Sequence, residues 1–215
     1  FYMCFGKVPR KEIVKAFDVS LILYAEHSFN VSTFTARTIT SSLSDIHGAI
    51  TGAIASLKGP LHGGANEEVM HMMNKIKKPK NALKWINNAL VKKEVVMGFG
   101  HRVYKKGDSR VPTMEKYFKK VAQIKADKKF IKIYDIVKNV MIDKKNIHPN
   151  VDYPTGPTYH LMGFDTDFFT PIFVMSRITG WSAHIMEQHA ANKLIRPLSK
   201  YSGADHRKVM LLNQR

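Results

Sequence analysis

Apolar residues recur in this chain at three- and four-residue intervals almost from one end to the other, and only helices bury such a pattern on one face. Residues 10–26 show it in Ile13, Phe17, Leu21 and Tyr24, and residues 32–57 show it in Ile39, Leu43, Ile46, Ile50 and Ile54. The same spacing predicts helices over 65–75, over 81–94, and from Pro112 through Phe118, Val121 and Ile124. Asp127 is placed to cap another, with Phe130, Ile133, Tyr134, Val137, Val140 and Met141 on its buried face. Asp167 is read as the cap of a helix over 168–179 that Gly180 ends, with a separate helix over 181–191. Only 95–99 reads as a strand, and 146–157 reads as loop. Gly48 and Gly52 lower helix stability, so they predict a closely approaching neighbour, either inside one subunit or across a subunit interface. The expected fold is mainly α.

Three of the breaks between these helices carry ionisable residues in Gly- or Pro-marked turns. They are Gly59-Pro60-Leu61-His62-Gly63-Gly64, Gly98-Phe99-Gly100-His101-Arg102 and Pro149-Asn150-Val151-Asp152-Tyr153-Pro154. Glycines beside a polar side chain let backbone and ligand come close together. Asp152 sits among apolar neighbours, a setting that raises a carboxylate's pKa toward use as a base. His47, His71, His148, His160, His184, His189 and His206 have no such setting and are read as structural. Two histidines and an aspartate on separate loops suit proton abstraction next to a carbonyl.

Other chemistries fit less well. His184 and His189 are five residues apart on one helix and point to different faces, so the chain has no zinc helix. Gly98-Phe99-Gly100 lacks the third glycine and the βαβ setting of a dinucleotide site. No Gly-Lys-Ser/Thr phosphate loop and no nucleophilic serine elbow occurs. The single cysteine, Cys4, precludes an internal disulfide and predicts a reducing compartment, which leaves the sequon Asn30-Val31-Ser32 without meaning. No apolar run reaches membrane-spanning length, and the start on Phe1 predicts no signal peptide and a beginning inside a longer protein. Lys and Arg number 34 against 17 acidic residues, a net charge of +17 that calls for anionic partners. Most lysines lie in short runs at helix ends and read as solvated surface, whereas Arg102, Arg110, Arg177 and Arg196 lie in or beside loops and apolar segments. Clustered aromatics with basic residues are missing, so nucleic acid is not an expected partner.

The segments around His62, His101 and Asp152 closely resemble the three catalytic segments of the citrate synthase family, in order and in approximate separation. The similarity runs from about residue 10 to about residue 203. Gly107-Asp108-Ser109-Arg110-Val111-Pro112 and Leu161-Met162-Gly163-Phe164-Asp165 look most like the bacterial 2-methylcitrate synthases within it. The resemblance implies condensation of acetyl-CoA or propionyl-CoA with oxaloacetate, followed by thioester hydrolysis. It implies Asp152 as the base, His62 as hydrogen-bond donor to the thioester oxygen, and His101 as donor to the oxaloacetate ketone. It further implies His27, Arg110 and Arg177 on oxaloacetate, Arg196 donated across a homodimer interface, and Arg102, Lys105 and Lys106 on coenzyme A. Coenzyme A is then a co-substrate, with no metal and no permanently bound cofactor. The implied architecture is a two-domain helical fold lacking the N-terminal part of its large domain. Residues 1–61 and 164–215 form the large domain and 62–163 the small one, with no membrane partner and a cytoplasmic location (the mitochondrial matrix if eukaryotic). An inactive, truncated member serving only as an assembly module is the alternative reading.

Overall fold

The computed structural model describes residues 1–205 and 208–215, so His206 lies outside the described residues. Among the described residues ten α-helices carry the fold: α1 (Tyr2–Phe5), α2 (Lys11–Tyr24), α3 (Val31–Ser41), α4 (Ile46–Leu57), α5 (Ala65–Ile76), α6 (Pro79–Val91), α7 (Val111–Ile124), α8 (Lys129–Lys145), α9 (Asp152–Met162) and α10 (Phe169–Ala190). Ile13, Ile86, Phe118, Val121, Ile133 and Tyr134 are buried as the apolar spacing predicts, whereas Leu43, Ile46, Ile54, Leu83 and Val91 are exposed and α4 buries Ala49, Ala53 and Leu57 instead. Among the described residues no helix is long and apolar enough to cross a membrane.

The buried residues form two clusters. The larger one joins the first half of α2 to α5–α9 and the start of α10, around Val69, Met73, Phe118, Tyr134 and Tyr153. The smaller joins the end of α2 to α3, α4 and the middle of α10, around Tyr24, Leu57, Phe173 and Trp181. Helices α2, α7 and α10 take part in both, so a residue late in α2, early in α7 or midway along α10 lies where the clusters meet.

Four local readings need correction. Residues 95–99 are not a strand: among the described residues the only β feature is a single antiparallel bridge between Phe99 and Pro149. Gly98 (φ 81°) and Gly100 (φ 78°) turn the backbone into the left-handed region, which ends any extended run. Residues 152–157 are helical rather than loop. Pro154 falls in the first turn of α9, where a missing N–H costs no helical bond. Thr155 and Thr158 then donate their hydroxyls to the carbonyls of Val151 (2.7 Å) and Pro154 (2.6 Å). The stretch 32–57 is two helices, because Leu43 adopts φ 66° and Asp45 opens α4 by accepting the Gly48 N–H at 2.8 Å. The close neighbour of Gly52 lies in the same chain: a Cβ there would stand 2.2 Å from Cδ1 of Ile39 on α3.

The fourth correction concerns the helix read over 168–179: Asp167 does not cap it but lies in a 3₁₀ turn (Thr166–Phe168) ahead of α10, and Gly180 does not end it but lies inside α10. A Cβ at Gly180 would stand 2.4 Å from the Ala25 carbonyl oxygen, so this glycine lets α10 pass against the end of α2. Gly180→Ala should therefore push the two helices apart and destabilise the protein by about 1–3 kcal/mol, despite alanine's better helix propensity. Thermal melting checks this; an unchanged or raised Tm would show that the α2–α10 contact tolerates a methyl group.

Candidate active site

The single bridge has a large consequence. The Gly100 N–H donates to the His148 carbonyl (2.8 Å) and the Asn150 N–H to the Gly98 carbonyl (2.9 Å). The Asn150 side-chain amide donates to the Gly100 carbonyl at 3.0 Å. These bonds clamp the loop carrying His101 to the loop leading into Asp152, although fifty residues separate them. His62 arrives from the turn after α4, against the N-terminus of α3. Phe173 links the rest: its ring centroid lies 4.0 Å from that of Tyr24 and 6.3 Å from that of His62, and the Arg177 guanidinium stands 4.8 Å over its face. The Tyr24 hydroxyl donates to Asp152 Oδ1 at 2.6 Å. Arg177 acts on both His62 and Asp152, and Arg110 on both His101 and Asp152, so the two imidazoles and the carboxylate lie around one pair of guanidinium groups.

Each of the three groups is set in a particular protonation state. The Ser32 N–H, in the first turn of α3, donates to His62 Nε2 at 3.3 Å. An N–H can only donate, so Nε2 presents its lone pair and the ring proton sits on Nδ1. Burial, with Arg177 and then His27 nearby, lowers the His62 pKa to about 4, and the helix N-terminus acts in the same direction. His101 carries the opposite tautomer. Its Nδ1 accepts from the N–H groups of Val103 (3.0 Å) and Tyr104 (3.1 Å), which leaves the proton on Nε2. Burial lowers its pKa too, against the attraction of Asp108. Burial raises Asp152 to about 6, partly offset by the Tyr24 hydrogen bond. The site therefore holds two neutral N–H donors and a carboxylate that titrates near neutrality.

Cationic and polar groups surround this trio. Arg177 is 1% exposed and donates from Nε to the Tyr24 carbonyl, while its Nη1 has no hydrogen-bond partner. Burial, with Arg110 close by, lowers its pKa to about 10, so it stays charged at neutral pH. His27 stacks on His101 with centroids 5.0 Å apart, and its buried Nε2 also lacks a partner. Arg110 is held by a two-pronged bond to Asp108, Nε to Oδ1 at 2.9 Å and Nη2 to Oδ2 at 2.7 Å. Two fixed guanidinium groups and an unpaired imidazole suit a small dicarboxylate. Arg102, Lys105 and Lys106 occupy the exposed rim, where Lys105 donates to the His101 carbonyl at 3.3 Å and Lys106 borders a cavity of about 640 Å³. Arg196 is exposed in the segment after α10 and makes no side-chain hydrogen bond or ion pair among the described residues.

The C-terminal domain model of citrate synthase matches residues 1–198. The chain belongs to the citrate synthase family. It is 58% identical over 206 residues to a 2-methylcitrate synthase of Mycobacterium tuberculosis, covering 96% of this chain and 52% of that protein. It is 56% identical over 218 residues to 2-methylcitrate synthase 2 of Corynebacterium glutamicum, covering 99% and 57%. The chain thus spans about half the length of the curated relatives it matches. The citrate synthase of Thermoplasma acidophilum, solved as a ternary complex with carboxymethyl coenzyme A and oxaloacetate, superposes with a TM-score of 0.91 at 37% identity, over 100% of this chain and 58% of that one.

In this member of the citrate synthase family, several groups that build the site carry no catalytic motif of their own. Asp108 orients Arg110 and also accepts the Val151 N–H at 3.1 Å, next to Asp152. Ser32 fixes His62, its hydroxyl lies 2.8 Å from Nε2, and that hydroxyl accepts the Trp181 indole N–H at 3.1 Å. The signal for Ser32 was the sequon itself, since Asn30 caps α3 by accepting the Thr33 N–H at 3.2 Å. An acid two residues before the arginine was the signal for Asp108. The histidine pair set aside as a metal site is structural at His184, which lies 3.0 Å from Glu26 through Nε2 and 3.0 Å from Arg37 through Nδ1. No cluster of three or more metal-ligating side chains occurs among the described residues.

Proposed function

We propose that the protein of which this chain is part condenses an acyl-CoA with oxaloacetate and then hydrolyses the resulting thioester. The observation that carries this is the opposed pair of tautomers: a free Nδ1–H on His62 and a free Nε2–H on His101, grouped with Asp152 around Arg110 and Arg177. Asp152 removes the proton α to the thioester carbonyl. His62 donates its Nδ1–H to the thioester oxygen as enolate charge builds there, and neutrality of the ring keeps that donor in place. His101 donates through Nε2 to the oxaloacetate ketone and supplies the proton to the new alkoxide. Arg110, Arg177 and His27 hold the oxaloacetate carboxylates by charge-assisted bonds. Arg102, Lys105 and Lys106 meet the phosphates and adenine of coenzyme A.

The same reading includes a small domain over 62–163 that closes on a large domain formed by 1–61 and 164–215, with the site completed as oxaloacetate enters. It also includes a homodimer in which the exposed Arg196 reaches the partner's site. The test is oxaloacetate-dependent release of free CoA by the intact protein, with acetyl-CoA and propionyl-CoA compared side by side. Release with either thioester, together with a rise in Tm on adding oxaloacetate, is the expected result. Absence of release with both would remove the proposal. One methylene in an apolar pocket changes turnover by about 10–200-fold, so the ratio of the two rates identifies the preferred acyl group.

A further inference from the structure

Tyr24 has no role in the scheme above, yet it is hydrogen-bonded to both Asp152 and Arg177. Its ring is fully buried and packs on Phe173 at 4.0 Å between centroids. Its carbonyl receives the Arg177 Nε–H, and its hydroxyl donates to Asp152 Oδ1 at 2.6 Å. That hydroxyl bond is the only one to the Asp152 carboxylate among the described residues. Oδ1 is thereby occupied and Oδ2 is left with its lone pairs.

We propose that Tyr24 is the positioning residue of the base: its hydroxyl pins Asp152 through Oδ1, aims Oδ2 at the proton to be removed, and helps to keep the carboxylate ionised. The inference rests on the condensation reading and adds to it the orientation of the base. The bond joins the last turn of α2 to the first turn of α9, between the regions where the two hydrophobic clusters meet. A tyrosine ring has few rotamers, and here Phe173 holds it, so the hydroxyl is fixed before substrate arrives. The groups facing Asp152 are Tyr24 from α2, Arg110 and Asp108 from the segment before α7, and Arg177 from α10. Arg110 and Arg177 favour the ionised carboxylate and Asp108 opposes it. The Tyr24 bond acts with the arginines and, unlike them, is directed at one oxygen.

Tyr24→Phe keeps the ring and the carbonyl that holds Arg177, and removes only the hydroxyl. In the intact protein, the acid limb of the kcat–pH profile should then move up by about one pH unit. At pH values below the limb, kcat should fall roughly tenfold, with the KM for oxaloacetate unchanged. Tyr159→Phe is the matched control. Its hydroxyl also joins α9 to α2, donating to Ser20 Oγ at 2.9 Å, but makes no bond to Asp152, and its profile should stay in place. The titration of Asp152 is read directly by carbon-13 NMR of labelled aspartate, with Asp152→Asn assigning the signal. This readout does not depend on turnover. A wild-type protein without condensing activity would remove the proposed function, while the NMR titration still tests the Tyr24 bond. An Asp152 titration midpoint that is the same in Tyr24→Phe as in wild type would overturn the inference, as would an equal shift in Tyr159→Phe.

Discussion

Asp152→Asn is expected to lower the kcat of condensation by about 10²–10⁴-fold, the range for loss of a positioned general base, while making the folded protein more stable. The two effects have one cause. Burial raises the Asp152 pKa from 3.8 to about 6, so the folded state disfavours the charge that catalysis needs. For a carboxylate raised in this way, the cost is absent below the unfolded pKa, grows as pH climbs from 3.8 to about 6, and is complete above that. At pH 7–8 it amounts to about 3 kcal/mol, which asparagine avoids while still accepting the Tyr24 hydroxyl. The variant should therefore melt several degrees higher than wild type at pH 7–8 and at the same temperature near pH 3. Oxaloacetate should still raise its Tm, since Arg110, Arg177 and His27 are intact. Wild-type turnover in the variant would sink the assignment of the base, and a lower Tm at pH 8 would show that the carboxylate is stabilised rather than strained by its surroundings.

The second large effect is expected at Asp108, where Asp108→Ala should destabilise the protein by about 3–5 kcal/mol. The Asp108 side chain is 0% exposed, and the Arg110 side chain only 14%. Alanine leaves a buried guanidinium without its carboxylate and a buried Val151 N–H without its acceptor. Arg110 holds the Asp108 carboxyl below its ordinary pKa, the bond outweighing the opposing effect of burial. A depressed carboxylate contributes stability that is complete above its unfolded pKa of about 4 and disappears as pH falls through the lower folded value. The gap in Tm between wild type and variant should accordingly be near 10 °C at pH 7 and close over the acid range below about pH 4. The KM for oxaloacetate should rise with it, because Arg110 is no longer held in place. Equal melting curves at pH 7 would mean that Arg110 finds another partner and that Asp108 is not what orients it.

Helices were legible because burial of one face imposes its spacing on the sequence; Ile86, Phe118 and Ile133 stand where the pattern put them. Proline and glycine misled at two places. Pro154 and Gly156 suggested loop where α9 already runs, and Gly180 suggested an end where α10 only passes close to α2. Pro154 costs no bond in the first turn, whereas Gly156 and Gly180, costly in an isolated helix, are tolerated because a Cβ would stand 2.7 Å from the Asn66 carbonyl oxygen and 2.4 Å from that of Ala25. The partners of the site residues were less legible still, because Tyr24 and Asp152 lie 128 positions apart and nothing local marks either for the other.

Taken by itself, the sequence determined the fold class, the family and which side chains carry charge or a titratable ring, since these follow from residue type, spacing and motif. Tertiary structure alone decided how each of those groups is set. Nδ1 of His62 bears the proton because a helix N-terminus donates to its other nitrogen, and Nε2 of His101 bears it because two loop N–H groups occupy Nδ1. Asp152 titrates near 6 because folding strips its water and returns one hydroxyl. Desolvation and hydrogen bonding depend on what surrounds an atom in space, and linear order along a chain does not specify those surroundings.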